Sequence, residues 1–251
     1  MLYVNNLFYF QPLIRIINKL QKGIMKKSNY LLLLISLLFI GSINAQTGVR
    51  FGLKAGYSMG TQYGIKPADD IYTVTTDIRN GFAGGLLIYF PITESVGIQQ
   101  ELLYAMKGSR QNVTISQPFS INTVSEYNLN YFEMPMLVKY QFVRIKNTAI
   151  YGSTGIALSL LMNGEYDITT TINAGGPPVV VEESGDTKGL DIFDYSFVYG
   201  AGTDFKLFEK DFFFDIRMTV GWNTLAMPNA TGADPVPLRN QAYVFSVGTY
   251  F

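Results

Sequence analysis

The side chains with chemical potential in this chain are carboxylates and bases set at strand spacing. Histidine and cysteine are both absent, which removes Ser-His-Asp and Cys-His nucleophilic arrangements, imidazole zinc ligation and disulfides together. Carboxylate chemistry remains. Glu101 and Glu133 are the pair that acid–base work would need, but a substrate requires room beside them. Asp69 and Asp70 are adjacent, a pairing that either holds a hard cation or, far more often, forms a solvated turn. Asn112-Val113-Thr114 and Asn229-Ala230-Thr231 match a glycosylation pattern by chance. These patterns lead to no expected catalytic residue, cofactor or metal site.

The charges fall on one side of an alternating pattern. Side chains in a strand point alternately to opposite faces. Phe212, Phe214, Ile216, Met218, Val220 and Trp222 share one face, against Phe213, Asp215, Arg217, Thr219, Gly221 and Asn223 on the other. Phe132, Met134, Met136, Val138, Tyr140 and Phe142 repeat the pattern against Glu133, Pro135 and Lys139. The same parity puts Arg50, Lys54, Arg79, Glu101, Lys107, Glu133, Lys139, Asp204, Lys206, Asp215 and Arg217 on the non-lipid face. An eight-stranded barrel has an interior only wide enough for side chains to fill, so these groups are expected to neutralise one another in a packed ionic core. A narrow polar path or ligand niche lined by the same residues is the alternative.

The elements that must position them recur eight times: Val49 to Met59, Ile78 to Phe90, Val96 to Lys107, Leu129 to Phe142, Ala149 to Met162, Phe193 to Leu207, Phe212 to Asn223 and Asn240 to Phe251. Each is near the ten or so residues a tilted strand needs to cross an outer-membrane bilayer. Short connections at Pro91 to Ser95, Val143 to Thr148 and Phe208 to Asp211 alternate with long ones at 60–77, 108–128, 163–192 and 224–239. Short turns belong to the periplasmic side of such barrels, so both termini are expected there. Phe90, Phe142, Phe205 and Phe212 gather toward the short turns, and Tyr57, Tyr104, Phe132 and Trp222 toward the long loops, as interfacial girdles do. Val220 is read as a mid-membrane position, and Pro135, which donates no hydrogen bond, as a bulge or kink. Within the long connections, Val113 to Ser116 faces Ser120 to Val124, and Tyr166 to Ile172 faces Val179 to Glu183, so projecting hairpins are expected. Val179, Val180 and Val181 form an apolar run there, facing a partner or paired inward.

The last strand ends on an aromatic. Tyr243, Phe245, Val247 and Phe251 lie on its apolar face. Val49 to Met59 is its expected pairing partner, which closes the sheet and abolishes its edges. At the other end, Met25-Lys26-Lys27, an apolar run from Tyr30 to Ile40 and Ser42-Ile43-Asn44-Ala45 read as a secretory leader cut after Ala45. Leu31 to Ile43 would serve as a single anchor only if cleavage failed. Met25 is the expected start, residues 1–45 the extension and leader, and residues 46–251 a single barrel domain. Lys plus Arg and Asp plus Glu both number 19, giving a formal net charge of zero and no nucleic-acid footprint.

At Gly81-Phe82-Ala83-Gly84-Gly85-Leu86, Gln100-Glu101-Leu102-Leu103-Tyr104 and Tyr131-Phe132-Glu133-Met134-Pro135-Met136-Leu137-Val138-Lys139-Tyr140, together with the strand ending in Phe251, the chain resembles the outer-membrane β-barrel domain family that includes PorT-like proteins. The resemblance implies a small outer-membrane barrel, with relatives in secretion, gliding or surface attachment, and a terminal strand that the barrel-assembly machinery reads. The reading is an all-β, eight-stranded antiparallel up-and-down transmembrane barrel in contact with outer-membrane lipid. It is expected to act as a structural or interaction protein that meets a protein partner at its extracellular loops, and not as an enzyme. A small porin or uptake channel is the first alternative, and a secreted soluble lipid-binding barrel, with its apolar face inside, the second.

Overall fold

The computed structural model describes residues 48–64, 72–116, 120–186, 193–227 and 236–251. The leader, Asp69-Asp70 and Asn229-Ala230-Thr231 lie outside the described residues. Antiparallel strands follow one another around a ring: β1 (Arg50–Tyr63), β2 (Tyr72–Pro91), β3 (Val96–Ile115), β4 (Ser120–Ile145) and β5 (Thr148–Asn173). A short β6 (Val179–Asp186) pairs with β5, and the ring continues through β7 (Phe193–Leu207), β8 (Lys210–Gly221) and β10 (Val236–Tyr250). A three-residue β9 (Leu225–Met227) pairs with the start of β10. β10 then returns to β1, from Gly52 opposite Tyr250 to Tyr63 opposite Arg239. The Phe251 N–H extends the seam to the Phe51 carbonyl at 2.9 Å. Closure satisfies the backbone groups that an open edge would expose to lipid.

The period of two sorts the walls. Phe51, Leu53, Tyr57, Leu86, Val138, Ile150, Ile216 and Val247 are exposed on the outside, while Lys54, Leu87, Lys139, Tyr151, Asp215 and Ser246 are buried inside. That is the opposite of a soluble lipid carrier. Glycines on the inner face make room for large neighbours. A Cβ at Gly248 would lie 2.1 Å from Phe213 Cζ, and one at Gly202 would lie 2.5 Å from the Tyr151 hydroxyl.

The strands outrun the bilayer at one end. β4 and β5 are 26 residues each, far more than the ~10 needed to cross. The expected hairpins form here, with Ile115 opposite Ile121 and Ile172 opposite Val179. β2, β3, β4, β5 and β6 therefore continue as one sheet above the barrel. At the other end the connections are tighter than the sequence implied. Ile145 pairs with Thr148, and Leu207 with Lys210, across two residues each. Lys146, Phe208 and Glu209 take positive φ to make these turns.

Pro135 causes no bulge. It stays in register opposite Ala157. Its missing N–H leaves the facing Glu101 carbonyl without a ladder donor, and the Gln100 side-chain amide donates to that carbonyl and to Pro135 O, both at 3.1 Å. The register shifts instead between Ile78 and Ala83 on β2, between Asn130 and Tyr131 against β5, and between Gln141 and Val143 on β4. The second shift skips Met162, so Ser159 faces inward below it and Ile168 above it.

Candidate functional site

The interior holds three tiers of polar contact, each reaching across the ring. In the middle tier, Arg217 on β8 donates to Glu101 on β3 and to Asp215, both at 2.7 Å. Lys54 on β1 bridges the same carboxylates, 3.3 Å from Asp215 and 3.6 Å from Glu101. Ser246 donates to the second Asp215 oxygen at 3.0 Å. Two cations and two carboxylates form a neutral quartet, as burial demands.

Toward the short turns, Lys139 on β4 meets Asp204 on β7 at 2.7 Å and donates to the Tyr250 hydroxyl on β10 at 3.2 Å. Its ammonium sits 3.5 Å from the Tyr151 ring centre, a cation–π contact. Tyr250 in turn donates to Gln99 at 3.3 Å, and the Gln99 amide donates to Glu101, which links this tier to the middle one. Leu87, Tyr89, Phe213 and Tyr250 pack around it.

Toward the long loops, Lys107 lies 3.2 Å from Glu133 and 4.0 Å from Asp194, and donates to Ser159 at 3.3 Å. Asn240 on β10 donates to Tyr131 on β4 at 3.0 Å and to Asp194 on β7 at 2.9 Å. Gln62 and Ser109 extend the chain at 2.9 and 2.7 Å. One cation faces two carboxylates in this tier. Tyr127, Leu129, Tyr131 and Leu238 close over it, and burial pushes the Tyr127 phenol up.

The structure brings Lys54, Glu101, Lys107, Glu133, Lys139, Asp204, Asp215 and Arg217 into these tiers. Glu101 and Glu133 serve different cations and form no pair. Three expected members lie elsewhere. Arg50 sits at the short-turn rim, its guanidinium over the Tyr89 and Tyr250 rings at 4.7 and 4.3 Å and 3.9 Å from Asp211. Lys206 is a correction: its side chain is 56% exposed and reaches Asp211 at 3.5 Å. Parity gave its face but not its height, and at the rim a long side chain carries its charge out to water. Arg79 is half-buried and donates to the Lys107 carbonyl at 3.2 Å. Asp194 and Asn240 were missed although both lie on the inward parity of expected strands, and Gln62 was missed because it lies three residues past Met59, where the same parity would have found it.

On the terminal strand, Tyr243, Phe245, Val247 and Phe251 all project outward, 36, 39, 60 and 74% exposed. Trp222 stacks near Tyr195 and edge-on to Phe197 at the long-loop girdle. Among the described residues no group of three or more metal-ligating side chains converges.

A closed antiparallel ring, apolar outside and ionically packed inside, defines a transmembrane β-barrel. The chain belongs to the outer membrane protein beta-barrel domain family, whose model matches residues 44–226, and it is thereby a protein of the bacterial outer membrane. It is similar to the attachment invasion locus protein Ail of Yersinia pestis, at 14% identity over 80% of this chain and 98% of that one, TM-score 0.36. It is also similar to OprG from Pseudomonas aeruginosa, at 13% over 80% and 95%, TM-score 0.41. The outer membrane protease OmpT of Escherichia coli aligns at 8% over 81% and 95%, TM-score 0.39. Among curated proteins none matches this sequence.

Proposed function

We propose that this protein is a closed barrel that anchors an extracellular interaction surface in the outer membrane, with both termini periplasmic, and that it is not a catalyst. The contacts across the ring carry the reading: Arg217 to Glu101, Lys139 to Tyr250 and Asn240 to Tyr131 each join opposite walls at a different height. Side chains so joined fill the lumen that a solute or substrate would need. The strand extensions supply the surface, since a rigid scaffold with protruding connections is how barrels present binding sites. The motifs around Gly81 and Pro135 favour the PorT-like branch of the family. The outward aromatics of β10, ending in Phe251, are the feature that barrel-assembly machinery would read. Proteoliposomes carrying the refolded protein should swell no faster than empty ones in an osmotic assay with a small neutral sugar. Rapid swelling would overturn the reading.

A channel is the second reading, because a cavity of about 640 Å³ opens among Arg50, Tyr89, Gln141 and Arg144 at the short-turn end. Its lining residues Arg50 and Tyr89 also belong to the aromatic packing around Tyr250, which favours a blind vestibule.

A further inference from the structure

We infer that the outer edge of β6 docks a basic, extended segment of a partner protein, which joins the sheet as a further strand. This rests on the interaction reading above and names the partner's chemistry. Among the described residues β6 pairs along one side only, with β5, from Ile172 opposite Val179 to Glu165 opposite Asp186. Its other side presents a row of backbone donors and acceptors, the template that β-augmentation uses. Natural edges are blunted by charged side chains, lysine above all, by proline or by a bulge. β6 reads Val-Val-Val-Glu-Glu-Ser-Gly-Asp, so the only charges that blunt it are carboxylates, with no lysine, proline or register shift against β5. Val179, Val180 and Val181 are 57, 55 and 53% exposed. Alternate residues face opposite ways, so apolar surface is open on both faces of the strand.

Charge selects the occupant. The stretch 165–186 contains Glu165, Asp167, Glu182, Glu183 and Asp186 and no lysine or arginine. Glu165, Asp167 and Glu182 share the outward face, with Asp167 diagonal to Glu182 across the strand pair. Like charges set across a strand pair repel, and cations on an added strand would relieve them. A second copy of this chain would bring the same carboxylates to the edge and add to the repulsion. The segment that fits is therefore apolar where it passes the valines and carries Lys or Arg where it passes Glu182 and Glu183.

The test uses the full barrel refolded in detergent and a fluorescent peptide of alternating valine and lysine, titrated by anisotropy at about 0.15 M salt. Saturable binding is expected, with slower hydrogen exchange at the β6 amides. The double variant Asp167→Lys/Glu182→Lys, exposed at both positions, should bind about tenfold more weakly. A peptide N-methylated at alternate amides keeps its charge but loses one edge of donors, and should not bind. Equal binding of the methylated peptide would overturn edge pairing in favour of diffuse charge attraction. Absence of binding would overturn the inference outright, and sedimentation showing a dimer that the double variant alters would replace the partner with a second copy. A silent barrel that ignores the peptide defeats only this inference, whereas a permeable barrel defeats the function it rests on.

Discussion

Arg217 and Glu101 meet at 2.7 Å although β8 and β3 stand four strands apart in either direction around the ring. No two strands of an eight-membered ring are farther apart. The pair is thus a strut across the barrel, braced by Lys54 and Asp215, both within 3.6 Å of its members.

Removing one end of the strut should expose its cost. Arg217→Met leaves Glu101 and Asp215 sharing Lys54 alone and is expected to destabilise the barrel by about 3 to 5 kcal/mol, read from urea unfolding in lipid vesicles. Adding Glu101→Leu should restore part of the loss, because the stranded carboxylate goes with it. A single variant within about 0.5 kcal/mol of the parent would show that the strut carries no stability.

Lipid contact has a height dependence. Val220 reads as a mid-membrane position in the sequence, but β8 ends at Gly221 beside the Trp222 girdle, which leaves Ile216 nearer mid-height. Ile216→Arg should cost about 2 to 4 kcal/mol and Val220→Arg about 1 or less. Equal costs in the same unfolding assay would contradict this placement.

The β7–β8 turn is strained in a way that a substitution can relieve. Phe208 and Glu209 adopt φ of 49° and 65°, a region that suits Asn and Gly. Phe208 is 89% exposed, so little packing is lost. Phe208→Asn with Glu209→Gly should raise stability by about 1 kcal/mol. A loss of stability would instead identify Phe208 as a membrane anchor.

Deleting Phe251 tests the assembly role proposed for the last strand. The deletion removes one seam hydrogen bond and an outward ring, so refolding in detergent should persist while insertion in cells falls. Normal insertion in cells would count against that role.

The fold was legible because an alternating period survives wherever one face meets lipid and the other a crowded lumen. Eight strands, their order, the β1–β10 seam and both hairpins follow from that period and from connection length. The bulges near Gly81, Phe142 and Met162 do not, since they answer to local fit between neighbouring strands. The tiers were partly legible. Parity finds Lys54, Glu101, Asp215 and Arg217, but it cannot say that Glu133 answers to Lys107, or that Lys206 stands at the short-turn rim. Height along the barrel decides those partners, and it depends on strand tilt and stagger.

Single-channel recording tests the central claim most directly. The refolded barrel, inserted in a planar bilayer at moderate salt, should give no stable conductance steps over a physiological range of voltages. Reproducible steps from the unmodified protein would contradict a lumen closed by Arg217–Glu101, Lys139–Tyr250 and Asn240–Tyr131.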